Sequence, residues 1–312
     1  MRSIIRERPI LGDALLRAFT HSLGEQDLSP VTARGYLHDL GRFRGWLEGE
    51  ADAKPRDLRR VTTVDLVNYR QHLLRTERLR ATTINRKLQA LKKLFGWALD
   101  KGLVKANVAL EVRFVRVAER LCPKGLTEPE VQSLLRAAGQ TRHGLAKRNY
   151  ALIELLLETG LRVGEVADLR IGEVDLHDRS GVVQVREGKG RKQREVPLNA
   201  SARRALKLYL KGREPLRQED HLFLSERGGQ PLSLRTIQAT VSDLARRAKI
   251  TRFAVSAHSL RHSFALRFLR RHPGKLVELA ALLGHESLDT TAVYTRPSAE
   301  DLAADVEEGG RE

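Results

Sequence analysis

His258-Ser259-Leu260-Arg261-His262 is followed by Leu282-Leu283-Gly284-His285-Glu286-Ser287 and then by Thr290-Thr291-Ala292-Val293-Tyr294-Thr295. Between the first two blocks Leu276, Leu279-Ala280 and Leu283 recur at spacings of three and four, the mark of a helix with one apolar face, and Gly284 stands where a left-handed cap would end it. His258 and Arg261 are three apart, which makes them neighbours on a helix surface. Tyr294 falls on a further short helix that Ser287 or Asp289 would cap. Two helices thus carry histidines, an arginine and a tyrosine into one region, the outline of a site in which a tyrosine hydroxyl attacks a phosphate.

Upstream, the chain supplies a scaffold. Thr127-Glu128-Pro129-Glu130 is a capping box with proline in the first turn, and Val131, Leu134-Leu135 and Ala138 continue it at helical spacing. A second helix carries Ala151-Leu152, Leu155-Leu156 and Thr159, and Gly160 stops it. Arg162 then sits at a junction between helices, beside Glu165. Val182 to Arg186 and Arg194 to Leu198 read as paired strands around the glycine-punctuated turn Gly188-Lys189-Gly190-Arg191-Lys192. Residues 200–210 and 234–248 are helical again.

Residues 10–100 read as four short helices. Leu11, Leu15 and Ala18-Phe19 mark the first, and Tyr36, Leu40, Phe43 and Leu47 the second, with Ser29 as its cap. The third runs from Thr63 to about Thr76, and the fourth starts at Thr82. On the fourth, Ile84, Leu88, Leu91, Leu94-Phe95 and Ala98 face one way, while Arg86, Lys87, Lys92 and Lys93 face mostly others. Gly102, scattered arginines, Pro123 and Gly125 follow without periodicity. The fold class is mainly α with a small antiparallel β-sheet. The expected layout is a helical domain over 1–110, a linker over 111–125, a second domain over 126–300 and a tail over 301–312.

A chain of 312 residues at net charge +17 bounds the partners. Residues 1–125 hold 25 Lys/Arg against 14 Asp/Glu (+11), 126–295 hold 29 against 19 (+10), and 296–312 hold 2 against 6 (−4). Both main segments are basic, so a polyanion touching both is expected, DNA or RNA ahead of a membrane surface, and with a nucleic acid the phosphate contacts make binding steeply salt-dependent. The single cysteine, Cys122, excludes an internal disulfide and any cysteine-based zinc set. No apolar run approaches the roughly 20 residues of a membrane span, and the start lacks the apolar core of a secretion signal, so a cytoplasmic location is expected.

Cutting and rejoining a DNA strand without an energy cofactor needs a covalent intermediate that conserves the phosphodiester bond. A tyrosyl phosphate serves, because a sugar hydroxyl can attack it again. The transition state spreads negative charge that arginines and histidine N–H groups can take up, and the departing oxygen needs a proton donor. Arg162, Lys189, His258, Arg261, His285 and Tyr294 supply the tyrosine, two arginines, histidines and lysine that this chemistry needs.

In order and spacing, Thr159-Gly160-Leu161-Arg162-Val163-Gly164-Glu165, Gly188-Lys189-Gly190, the His258 to His262 block, the Leu282 to Ser287 block and Thr290 to Thr295 together resemble the tyrosine recombinase (phage integrase) family. The resemblance covers essentially the whole chain. It implies an N-terminal helical, SAM-like core-binding domain, a catalytic domain closing with it on duplex DNA, and site-specific strand exchange through a 3′-phosphotyrosyl intermediate and a Holliday junction. By that resemblance Tyr294 is the nucleophile and Arg162 and Arg261 clamp the phosphate, with a further hydrogen bond from His285. Lys189 protonates the leaving oxygen, His258 assists proton transfer with the tyrosine, and Glu165 supports the site. No metal or other cofactor is implied. A cyclic tetramer on paired sites is, with a C-terminal helix carrying Leu302, Ala303 and Val306 docked on a neighbour and a second recombinase as a possible companion. The compact layout is similar to Xer-like and mobile-element members. The rival readings are a type IB topoisomerase and a catalytically silent DNA-binding accessory protein on the same scaffold.

Overall fold

The computed structural model describes residues 14–26, 28, 30–49, 57–117, 123–141, 144–187, 191–226 and 229–296. The chain divides into two compact units, Met1–Glu119 and Arg120–Glu312. No helix among the described residues is long and apolar enough to cross a membrane.

The first unit is built on α1 (Ala14–Glu25), α2 (Pro30–Gly49), α3 (Thr63–Arg75) and α4 (Ala81–Asp100). A reciprocal cap starts α3: the Thr62 amide donates to Asp65 Oδ2 at 2.8 Å and the Asp65 amide to Thr62 Oγ1 at 3.3 Å. The apolar stripe of α4, from Ile84 to Ala98, is buried with Leu16 and Phe19 of α1 and Leu40 and Phe43 of α2. Ser29, expected to cap α2, lies outside the described residues.

Two features of this unit differ from the sequence reading. Lys87 does not face solvent; it is 6% exposed, and its Nζ lies 3.3 Å from Oδ1 of Asp39, itself 2% exposed. Arg86 binds the other oxygen of the same carboxylate from the outside. A periodicity argument sorts lysines outward because it has no access to a buried acid on another helix. The chain after α4 is also tied down well past residue 111. Val112 is buried in the core, Asn85 exchanges two hydrogen bonds with Val115 at 2.8 and 2.9 Å, and Thr63 Oγ1 donates to Val108 O at 3.0 Å.

In the second unit α5 (Glu128–Gly139) begins with the expected box, the Thr127 amide on Glu130 Oε2 at 2.8 Å. α6 (Leu145–Thr159) is the core helix and packs against α5, α8 (Ala200–Leu210) and α10 (Ala257–Arg271). It ends at Gly160, whose φ of 62° is left-handed, and a Cβ there would meet Phe264 at 2.4 Å and Leu283 at 2.9 Å. α7 (Val163–Asp168) follows at once, then a three-stranded antiparallel sheet in the order β1 (Val174–Leu176), β2 (Gly181–Glu187), β3 (Arg191–Pro197). Val183 of β2 pairs with Val196 of β3 and both are buried. The sequence reading found β2 and β3; β1 and α7, at 3 and 6 residues, are too short to show a period. α9 (Leu234–Arg247), α11 (Leu276–Leu283) and α12 (Leu288–Ala292) complete the unit.

The buried Asp39–Lys87 pair gives the first test. Asp39→Leu strands a buried ammonium and is expected to cost about 3 kcal/mol, most of it recovered when Lys87→Met is added. Denaturation followed by tryptophan fluorescence reports this unit alone, because both tryptophans, Trp46 and Trp97, lie in it.

Candidate active site

The site is assembled around the C-terminal end of α11. Gly284, at φ 65°, ends the helix and leaves its last carbonyls without helical partners. Three arginines from three other elements take them. Arg194 of β3 donates from Nε to Leu282 O at 3.0 Å, and Arg261 of α10 from Nη2 to Leu283 O at 2.8 Å. Arg162, the residue preceding α7, donates from Nη2 to Gly284 O at 2.8 Å. The partial negative charge of a helix C-terminus favours cations at that point. Gly284 is required twice over, since a Cβ there would lie 2.7 Å from Nη1 of Arg194.

Glu165, on the first turn of α7, joins two of the three. Its Oε1 and Oε2 accept from Arg194 Nη1 and Nη2 at 3.0 and 2.8 Å, a bidentate pair. Its Oε1 also accepts from Arg162 Nη1 at 3.0 Å, and its Oε2 from the Arg162 amide at 2.7 Å. Burial acts to raise the Glu165 pKa, but Arg194 and then Arg162 outweigh it, and the carboxyl is held below its usual range. Glu165 is therefore an anion at neutral pH. Three guanidiniums and one carboxylate leave the cluster with an excess of positive charge.

Arg261 is the buried member, 3% exposed. Besides Leu283 O it reaches Gly160 O at 2.7 Å, so one guanidinium bridges the ends of α6 and α11. Burial, then Arg162, pushes its pKa down to about 10, which leaves it charged at neutral pH. Its Nη2 also lies 2.9 Å from His285 Nε2. Arginine can only donate, so His285 Nε2 carries the lone pair and Nδ1 the proton, which goes to Thr291 Oγ1 at 2.8 Å. Burial, then Arg261 and Arg162, pushes the His285 pKa down to about 4.

Tyr294 lies two residues beyond the end of α12, in a turn closed by its own amide on Thr291 O at 3.0 Å. The sequence reading placed it on the helix; at 5 residues α12 ends before reaching it. Ser287 is the cap, donor to which is the Asp289 amide at 3.1 Å. The phenol ring is buried with Ala265, Leu279 and Leu283, and its hydroxyl is 2.9 Å from His262 Nδ1. His258, one turn earlier on α10, is exposed and sets its ring against that of His262, centroids 4.2 Å apart at 70°.

Of the expected site residues, the fold brings Arg162, Glu165, Arg261 and His285 into one hydrogen-bonded cluster, with Tyr294 and His258 joined through His262 on the same helix as Arg261. Lys189 and the tail from 301 lie outside the described residues. Two members were missed. Arg194 was read only as part of a strand beside Arg191 and Lys192, with nothing local to distinguish it. His262 stood in the quoted block but received no role; its position four after His258, on the same helical face, was the available signal.

Two predictions follow from these contacts. Unfolded histidines take up protons near pH 6.5, whereas folded His262 and His285 resist to about 4. Their depressed values make the folded chain bind fewer protons, so stability is full above about pH 6.5 and is lost as pH falls toward 4. Melting temperatures at pH 7.5, 6 and 5 should decline, and decline less in His285→Gln. Separately, Gly284→Ala combines a left-handed backbone with the Arg194 clash, whereas Gly229, at φ 60°, has open space. Gly229→Ala is expected to cost about 1 kcal/mol and Gly284→Ala at least about twice that, read as thermal unfolding.

The chain is similar to known proteins over most of its length. Residues 124–301 match the model of the Phage integrase family, and residues 16–102 that of the Phage integrase, N-terminal SAM-like domain. The chain is 36% identical over 282 residues to Tyrosine recombinase XerD of Ralstonia nicotianae, covering 89% of this chain and 87% of that protein. It is 34% identical over 278 residues to Tyrosine recombinase XerC of Lacticaseibacillus casei, covering 87% and 89%. Among solved structures it is similar to the XerH site-specific recombinase in a post-cleavage complex with palindromic difH substrate, with a TM-score of 0.74 and 25% identity over 89% of this chain and 80% of that one. The chain belongs to the phage integrase family: it is a tyrosine recombinase, an enzyme of site-specific DNA strand breakage and rejoining through a covalent intermediate.

Proposed function

We propose that Tyr294 is the nucleophile and that the arginine cluster at the end of α11 receives the scissile phosphate of duplex DNA. The observation that carries this reading is the juxtaposition of a positive cluster with a hydroxyl. Arg162 and Arg261 meet at the carbonyls of Gly284 and Leu283, and Tyr294 lies within electrostatic reach of Arg261. A phosphodiester anion would offset the charge excess that Glu165 leaves, and guanidiniums held in place need no rearrangement as negative charge develops. Arg162, the more exposed of the two, reaches the phosphate from the surface, with Arg261 beneath it.

In this reading the tyrosyl oxygen attacks phosphorus, the bond to the 5′ oxygen breaks, and the 3′ phosphate remains on the protein. Lys189, in the segment between β2 and β3 in the chain, protonates the departing oxygen. Glu165 and Arg194 act as positioning residues, fixing Arg162 through the bonds that tie it to Gly284. His285 braces Arg261. The donor role that family resemblance gives His285 needs a proton on Nε2, an atom that here accepts from Arg261. The relative XerH, captured on difH substrate before and after cleavage, supports duplex DNA as the partner, and assembly on paired sites follows from exchanging two strands.

The test is covalent trapping. Wild type and Tyr294→Phe are incubated with a nicked suicide duplex chosen by selection from genomic DNA, then denatured. An adduct in wild type that disappears in Tyr294→Phe is the expected result. Bound DNA with no adduct in wild type would leave the silent accessory reading; supercoil relaxation without exchange would favour the topoisomerase.

A further inference from the structure

We propose that His262, and not His258, receives the tyrosyl proton during strand cleavage, so that the second histidine of the His258-Ser259-Leu260-Arg261-His262 block is a catalytic residue. The inference rests on Tyr294 being the nucleophile. Of the two histidines only His262 touches the reacting hydroxyl, Nδ1 to Oη at 2.9 Å, which is the reach a general base needs. His258 meets the His262 ring by its edge and is exposed. His285 is committed elsewhere, its Nε2 to Arg261 and its Nδ1 to Thr291.

The placement follows from the helix. Positions 258, 261 and 262 lie on one side of α10, and the buried Arg261 fixes that side toward the end of α11. His262 is then the member of the block directed at the turn that carries Tyr294, whose ring lies 5.5 Å from its own. In the tautomer protonated at Nε2, His262 Nδ1 presents a lone pair to the tyrosine.

Burial first, then His258, Arg261 and His285, pushes the His262 pKa down to about 4, so the ring is neutral and able to accept a proton throughout the neutral range. It is also a weak base until something changes. A phosphodiester seated on Arg162 and Arg261 is that change, because its negative charge offsets the cations that oppose an imidazolium. Activation of the nucleophile would thereby depend on the substrate being in place. The step balances. The Tyr294 Oη lone pair forms the bond to phosphorus, the Oη proton passes to His262 Nδ1, the P–O5′ bond breaks, and the 5′ oxygen takes a separate proton from its own acid. Rejoining returns each proton to its source.

The experiment measures single-turnover adduct formation by the full chain on the nicked suicide duplex, with ordinary oxygen or with sulfur at the bridging 5′ position. A thiolate leaves without a proton, so the sulfur substrate isolates activation of the tyrosine. His262→Ala and His262→Asn are expected to bind DNA as wild type does and to form adduct about a hundredfold more slowly on both substrates. Added imidazole should restore His262→Ala. His258→Ala should be impaired less than either. If the alanine variant does not fold, the asparagine variant, which keeps a hydrogen-bonding atom near Nδ1 but cannot carry the proton, gives the answer alone. Wild-type or faster rates would overturn the proposal, as would a defect confined to the oxygen substrate or one absent in His262→Asn. Failure of wild type itself to form an adduct on bound DNA would instead overturn the reading of Tyr294 as nucleophile.

Discussion

The end of α11 is the constraint on which the site depends. Three consecutive carbonyls, of Leu282, Leu283 and Gly284, are each taken by a different arginine, from β3, from α10 and from the junction before α7. A helix C-terminus left unpaired inside a protein costs about as much as several lost hydrogen bonds. Here the donors that remove that cost are also the charges that an anionic substrate would meet. In the proposed reading, stability and function therefore draw on the same guanidiniums. The sheet, α10 and the junction before α7 are tied together where their arginines converge on one helix end.

Burial makes the arrangement electrostatically tense in a useful way. A charged Arg261 at 3% exposure is tolerated because its donors end on Gly160 O and Leu283 O, at the negative ends of two helices. Glu165 neutralises part of the cluster, and its bidentate pair with Arg194 fixes the plane of a side chain that would otherwise have several rotamers. Burial first, and then the neighbouring positive charge, keeps His262 and His285 neutral. A neutral histidine beside an arginine can only accept from it. That is why the Arg261–His285 contact has a determined direction.

Much of this was legible in the sequence, and what was not has a common cause. Repeating apolar positions located α4, α5, α6 and α11, and local chemistry located their ends: Thr127 with Glu130 at the start of α5, Gly160 and Gly284 as left-handed stops. The blocks around Arg162, His258 and Tyr294 could be matched by their spacing. Arg194 could not, because its partners Glu165 and Leu282 lie 29 and 88 residues away and nothing near it in the chain differs from a solvated strand arginine. Lys87 was misjudged for the same reason: Asp39 is 48 residues distant. Distinguishing His262 from His258 needs the rotation of α10 about its axis, which is set by where Arg261 is buried. Short elements such as β1 and α12 carry no period at all.

Tyr294 is held by tertiary contacts and not by its helix. The preceding helix α12 has 5 residues, below the length at which helix formation is self-sustaining, so the turn beyond it must be held by tertiary contacts. Those contacts include the ring among Ala265, Leu279 and Leu283, the hydroxyl on His262, and Thr291, fully buried, on His285. His285 in turn contacts Arg261, so the segment that holds the tyrosine is joined by hydrogen bonds through Thr291 and His285 to that buried guanidinium. Two side chains, His285 and Thr291, stand between that guanidinium and the turn of Tyr294. In the proposed reading, a nucleophile held just beyond a marginal helix is tied by these hydrogen bonds to one of the guanidiniums that would meet its phosphate.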